Sequence, residues 1–128
     1  MSYRSFVIWS RLINLSDYLE QIRQQYPDIR PLEEEDDVEW WNQGLDLIEA
    51  GDLDAAEEVF KKLVLAQPDM PDGFNGLGLV YEKRGDRPKA EAFLGEAIPK
   101  AQGMVEAGYM DAALIDPIRA DLDRILKT

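Results

Sequence analysis

The side chains that most often carry out enzymatic chemistry are missing from this chain of 128 residues. It has no histidine and no cysteine, which supply the commonest general base, the commonest zinc ligand and the usual thiolate nucleophile. Carboxylates are plentiful, with 26 Asp and Glu residues against 14 Lys and Arg, but no pair is set apart as an acid–base couple. We therefore predict a protein that is not an enzyme and that holds no cofactor and no metal.

Three short segments contain residue types that bind ligands in other proteins. The glycines of 73–78 lack the G-x-G-x-x-G order of a dinucleotide loop and follow no strand pattern. Asp52 and Asp54 lack the glycine and the closing glutamate of a calcium loop. The acidic run 33–37 is typical of a solvated linker. No ligand is assigned to any of the three, so the glycines need another explanation.

An internal repeat of 34 residues supplies that explanation. Residues 37–70 align with 71–104, and many pairs that are not identical keep their size and polarity. The identical pairs are Gly44/Gly78, Leu45/Leu79, Gly51/Gly85, Asp52/Asp86, Ala56/Ala90, Glu57/Glu91 and Met70/Met104. A period of this length is typical of helical hairpins that stack on one another.

Each repeat is predicted to form two helices. The first helices span 37–50 and 71–84 and end at Gly51 and Gly85, where a left-handed residue is wanted. The second helices begin near Asp54 and Pro88 and bury apolar residues with the spacing i, i+3, i+4, i+7, i+8. These stripes contain residues 56, 59, 60, 63 and 64, and residues 90, 93, 94, 97 and 98. On this spacing Glu57 falls on an exposed face.

The two units resemble the tetratricopeptide repeat (TPR) family, whose motif sets aromatic and small residues at fixed places. The first unit supplies Trp40, Gly44, Leu47, Gly51, Ala56, Phe60, Leu63 and Pro68, and the second supplies Phe74, Leu77, Gly78, Tyr81, Gly85, Ala90, Leu94 and Ala97. Gln43 and Gln102 depart from the motif, and Pro99 is predicted to bend the last helix early. The resemblance implies an all-α fold, in which TPR-like helical hairpins form a fragment of an α-solenoid.

The segments that flank the repeats at 37–104 are predicted to complete the fold. Residues 1–30 form an amphipathic front helix that we expect to cap the first repeat, with a mobile partner- or membrane-binding element, or disorder, as alternatives. Residues 31–36 form an acidic linker, and 105–128 form two short capping helices, the last beginning at Asp116-Pro117. No signal peptide or membrane-spanning run is recognisable, so we expect a cytoplasmic protein.

The resemblance also implies a binding groove, because the first helices of successive TPR units line a concave surface. By register its residues are Val38, Trp41, Asn42, Leu45, Ile48 and Glu49 in the first unit and Asp72, Asn75, Gly76, Leu79, Glu82 and Lys83 in the second. Trp40 is assigned to the core instead. The apolar strip with acidic edges suits a helix or an extended peptide with apolar anchors and a basic rim. The front helix is an alternative occupant.

These observations predict a non-catalytic protein–protein interaction module, acting as a scaffold or an assembly adaptor. The net charge of −12 disfavours nucleic acid and anionic lipid, so the expected partner is another protein or a peptide. Acidic peptide ends, which TPR co-chaperones hold with basic side chains, would meet carboxylates here. A self-associating structural protomer and a peripheral membrane adaptor that uses the front helix are the alternatives. The partner's identity and the oligomeric state stay open.

Overall fold

The computed structural model describes residues 15–29 and 34–127, and the regular elements within these ranges are all helical. They are α1 (15–25), α2 (Glu34–Glu49), α3 (Leu53–Ala66), α4 (Asp72–Arg84), α5 (Arg87–Glu106) and α6 (Ile115–Lys127), with a 3₁₀ turn at Ala112–Leu114. Helices α2 and α3 pair as one hairpin, α4 and α5 as the next, and α3 also packs on α4. The predicted all-α fold is confirmed. The predictions for 1–14, for 30–33 and for the last residue lie outside the described residues.

Two equivalent turns join the helices of the hairpins. Gly51 and Gly85 have positive φ angles of 84° and 80°, the left-handed conformation that ends a helix. The next residue caps the following helix, since the Asp52 carboxylate accepts a hydrogen bond from the Ala55 amide at 3.3 Å, and Asp86 begins α5 in the same way. Each Gly-Asp pair therefore stops one helix and starts the next.

The hairpins stack through the ring of Phe60 on α3. This ring is fully buried, and a methyl group added at Gly44 of α2 or at Gly76 of α4 would overlap it. The close crossing of α3 with both first helices therefore depends on glycine at these two positions. The assignment of Gly76 to the groove is wrong, because Gly76 is buried against Phe60.

Helix α1 packs on the side of the second helices, α3 and α5. Leu15 and Ile22 are buried in the common core. The ring of Tyr18 lies edge-on to Phe93 of α5, with the ring centroids 5.0 Å apart. Its hydroxyl donates a hydrogen bond to an oxygen of Glu57 on α3 at 2.7 Å. The described part of the front helix is thus anchored to both repeats.

Glu57 is the polar centre of this packing. The carboxylate oxygen that accepts from Tyr18 also accepts from the Tyr81 hydroxyl of α4 at 2.6 Å, and the other oxygen lies 3.1 Å from Arg84. Burial alone raises the pKa of Glu57, but the bonds from Tyr81 and Tyr18, with Lys61 and Arg84 nearby, outweigh it and hold this pKa below its usual range. The expectation of an exposed Glu57 is wrong, because α1 covers this face of α3.

Helix boundaries at both ends of the repeats differ from those predicted. Helix α2 begins at Glu34, inside the segment predicted as a linker. Helix α5 runs without a break through Pro99 to Glu106. Pro99 has no N–H group to donate to the carbonyl of Gly95. Both residues lie on the exposed face of α5, where water can replace the missing hydrogen bond.

Helix α6 follows a third left-handed glycine, Gly108, with φ of 84°. It begins at Ile115, one residue before the Asp116-Pro117 pair expected to start it. Ile115, Ile118 and Ile125 are buried, and the helix packs on α5. The segment predicted as two capping helices therefore forms the end of α5, a 3₁₀ turn and α6.

The Phe60 contact predicts opposite effects for two glycine substitutions. Gly76→Ala places a methyl group inside the Phe60 ring and should lower the free energy of unfolding by about 1–3 kcal/mol. Gly95→Ala is the matched control, since its methyl group meets no atom within 4 Å. It should raise stability by up to about 1 kcal/mol through helix propensity. Urea denaturation followed by circular dichroism measures both, and equal midpoints would contradict the contact.

Glu57 predicts a pH-dependent stability. Because its pKa is lower folded than unfolded, its contribution is present at neutral pH and is lost as the pH falls below about 4.3, the ordinary value for glutamate. Glu57→Gln should lower the unfolding free energy by about 1–2 kcal/mol at pH 7, and the difference from wild type should shrink in acid. Its neighbour Glu58 is exposed, so Glu58→Gln should change little. A pH-independent difference would disprove the role of the carboxylate.

Candidate functional site

The predicted groove residues lie on α2 and α4, whose packing on each other sets the two walls. The apolar members Trp41, Leu45, Ile48 and Leu79 are each partly buried. Val38, at the start of the strip, is 59% exposed. The strip is therefore apolar, partly exposed and carried by two helices whose crossings with α3 depend on glycine.

Trp41 is held by the core from one side. Its ring lies against Phe60, with the centroids 5.7 Å apart and the planes inclined at 60°. Trp40, assigned to the core, and Trp41, assigned to the groove, are both partly buried and both pack against the core cluster. The assignment of Trp40 to the core and of Trp41 to the groove implies a clear difference in burial. The two side chains differ little in burial, because Phe60 reaches α2 on the Trp41 side.

The polar residues predicted for the groove differ in their exposure and in their hydrogen bonding. Asn42, Glu49 and Lys83 are exposed, and Asp72 is partly buried. Asn75 is also partly buried, and its Oδ1 atom has no hydrogen-bond partner among the described residues. A buried amide oxygen without a donor costs about 1–3 kcal/mol, and this atom has no surface that a partner could reach.

Glu82, expected at the acidic edge of the groove, is bound within the chain. Its two oxygens accept hydrogen bonds from the guanidinium of Arg124 on α6, at 2.7 and 2.8 Å. These bonds hold the pKa of Glu82 below its usual range. Arg124 also lies 2.8 Å from Asp121 on its own helix. The pair ties α6 to the end of the groove, and nothing in the local sequence around Arg124 indicates this contact, which spans 42 residues.

The described part of the front helix does not line the strip. On α3, Phe60 faces the first helices through Gly44 and Gly76. Tyr18 of α1 instead contacts Glu57 of α3 and Phe93 of α5, and it reaches α4 only near the end of that helix, at Tyr81. Residues 15–25 therefore pack on the side of the second helices, and the alternative in which this part of the front helix fills the groove is wrong.

Two other features, a metal-binding cluster and a membrane-spanning helix, are absent from the described residues. In 15–29 and 34–127, acidic side chains do not gather in groups of three or more that could hold a metal ion. In the same ranges, no helix has both the length and the apolar character needed to cross a membrane.

The stacked hairpins and the glycine turns define a helical-repeat protein of the solenoid class. A family model described as tetratricopeptide repeat matches residues 47–110. This range contains α3, which is the second helix of the first hairpin, and both helices of the second hairpin. The chain belongs to the tetratricopeptide repeat family. No curated protein and no solved structure matches the chain. Repeats of this family generally mediate protein–protein interaction and are typically non-catalytic.

Proposed function

We propose that the protein is a cytoplasmic scaffold or assembly adaptor that binds a segment of another polypeptide in the groove between α2 and α4. The observation that carries the proposal is the strip formed by Trp41, Leu45, Ile48 and Leu79, which is apolar, partly exposed and carried by two first helices. Stacked repeats use such concave surfaces for binding. A role in catalysis has no support in the residues around the strip.

Trp41 is the strongest anchor that the strip offers. Because its ring already rests on Phe60, it loses little conformational freedom when a partner covers it. Aromatic residues of this kind often supply most of the binding energy of an interface. The core thus presents the ring to a partner in a fixed orientation.

The charges beside the strip favour a partner with basic residues at the edge of its contact. Glu49 is exposed, Glu82 is already paired with Arg124, and the whole chain has a net charge of −12. Lys83 is the one cation among the predicted groove residues. A basic segment therefore approaches with a favourable electrostatic energy, whereas an acidic one is repelled.

The size of the groove favours a short segment. Packed helices lie about 8–10 Å apart, so two first helices offer a contact roughly 20 Å across. An extended chain covers that distance with about six residues. A helix of two or three turns fits as well, with apolar residues on one face.

Leu79→Ser tests the groove directly. Leu79 is partly exposed on α4, so the variant should keep the wild-type helix content. It should bind the partner captured from an extract of the source organism about 30-fold more weakly, which corresponds to 2 kcal/mol. Affinity capture with quantitative mass spectrometry, followed by calorimetry with the purified partner, measures the effect.

Leu114→Ser is the matched control, since Leu114 is 55% exposed in the 3₁₀ turn, outside the groove. It should capture the same partner as the wild type. If both variants bind the partner as tightly as wild type, the groove is not the working surface and the proposal fails.

A further inference from the structure

Residues 1–14, which lie outside the described ranges, have the composition that the groove favours in a partner. They contain Arg4 and Arg11 but none of the 26 acidic residues of the chain. Elsewhere the longest run without an acidic side chain has ten residues, at 59–68. The aromatic members of the segment are Tyr3, Phe6 and Trp9. The chain therefore carries within itself a basic segment with apolar anchors, which suits an apolar strip with an acidic edge.

Helix α1 begins at the edge of the stack where the turns of the hairpins lie. Tyr18, one turn into α1, donates its hydrogen bond to Glu57, which is one turn into α3. Just after α1, the ring of Tyr26 lies 5.4 Å from the ammonium of Lys62, which is further along α3. The two helices therefore run in the same direction, and the chain that precedes α1 leaves it on the side of the turns.

The groove ends at this same edge, because α2 ends at Glu49 and α4 at Arg84. Packed helices lie about 8–10 Å apart, so a chain that passes from α1 across α3 and the first helices to the groove covers roughly 24–30 Å. Fourteen residues span at most about 46–50 Å, and Phe6, nine residues before Leu15, reaches about 30 Å. Roughly 20 Å of chain, or about six residues, is therefore left to lie in the groove.

We infer that residues 1–8 occupy the groove of their own chain and compete there with the partner. In this arrangement Phe6 covers the end of the strip, beside Ile48 and Leu79. The guanidinium of Arg4 then lies near Glu49, whose side chain is exposed. The inference rests on the proposed function, since it states what the same groove holds when no partner is bound.

The covalent tether makes a weak contact effective. A short segment with a dissociation constant of about 1 mM meets an effective concentration of several mM when it belongs to the same chain. It then occupies the groove roughly four-fifths of the time, and the affinity for a partner falls about fivefold, in proportion to the free fraction. A partner that binds in the micromolar range still displaces it. The segment thus sets a threshold of affinity that a partner must exceed.

A single spin label tests the contact, because the chain has no cysteine of its own. A nitroxide on Ser5→Cys, in the full chain labelled with ¹⁵N, should broaden the amide signals of Leu45, Ile48 and Leu79 relative to the reduced label. The matched control is Ser16→Cys, at an exposed position of α1. Its label should broaden signals of the second helices far more than those of the first.

Substitutions in the labelled chain identify the two sides of the contact. Phe6→Ser removes the proposed anchor and Leu79→Ser changes the strip, so each should abolish the broadening on α2 and α4. Leu114→Ser, outside the groove, should leave it unchanged. Retention of the broadening in Phe6→Ser would show that this residue does not hold the segment in the groove.

A synthetic peptide of residues 1–14 measures the competition without any partner. Titrated into the ¹⁵N-labelled full chain and followed at the Leu79 amide, it should bind Phe6→Ser about fivefold more tightly than wild type, because the tethered copy no longer fills the groove. Leu114→Ser should bind the peptide as the wild type does. Equal affinities of the peptide for Phe6→Ser and wild type would contradict the competition.

Two further results would overturn the inference. If the label at residue 5 broadens no signal of α2 or α4, the segment does not reach the groove. If ¹⁵N chains without a label are broadened on α2 and α4 by labelled chains mixed with them, the groove holds the segment of a second copy. Failure of the proposed function is distinct, since Leu79→Ser and Leu114→Ser would then bind the captured partner equally, whatever the label shows.

Discussion

The fold depends on the position of one aromatic ring between two glycines. Phe60 of α3 touches α2 at Gly44 and α4 at Gly76, and neither contact leaves space for a methyl group. A single side chain therefore fixes both the crossing within the first hairpin and the crossing between hairpins. Because α2 and α4 carry the groove, the same ring sets the separation of its walls. It also lies against Trp41, the residue that we propose as the anchor for a partner.

The two sides of the hairpin stack are used differently. On the side of the second helices, α1 is held by a carboxylate that accepts two tyrosine hydroxyls, and the stacked rings of Tyr81 and Phe93 lie beneath it. On the side of the first helices, the apolar strip keeps part of its surface in solvent. We propose that a partner binds on this second side, which the described part of the front helix does not cover.

The repeat and its turns could be predicted from the sequence because their causes are local. A left-handed glycine followed by an aspartate specifies the same turn wherever it occurs, and an apolar stripe specifies which side of a helix is buried. The same rules misplaced Glu57 and did not predict the pairing of Glu82 with Arg124, because the partners of both carboxylates lie far away in the chain. Tyr18 and Arg124 are 39 and 42 residues from the carboxylates that they bind. Periodicity along one helix carries no information about a side chain that arrives from another.

Gly76 shows a second reason why positions cannot always be transferred from one repeat to the next. The rule that relates groove positions in successive units assumes that both first helices have the same neighbours. Within 15–29 and 34–127, only α4 has a second helix stacked before it, so its residue 76 is buried while Asn42, the equivalent residue of α2, is exposed. The repeat alignment therefore misplaced Gly76, whereas Leu45 and Leu79 are both partly buried and stay predictions for the groove.

Hydrogen exchange in the presence of a saturating partner tests the central claim most directly. Mass spectrometry reads the amides of every helix in one experiment, without any substitution. The account predicts that protection increases on α2 and α4, around Leu45 and Leu79, and stays unchanged on α1 and on the face of α3 that carries Glu57. New protection confined to α1, α3 and α5, with no change on the first helices, would contradict it.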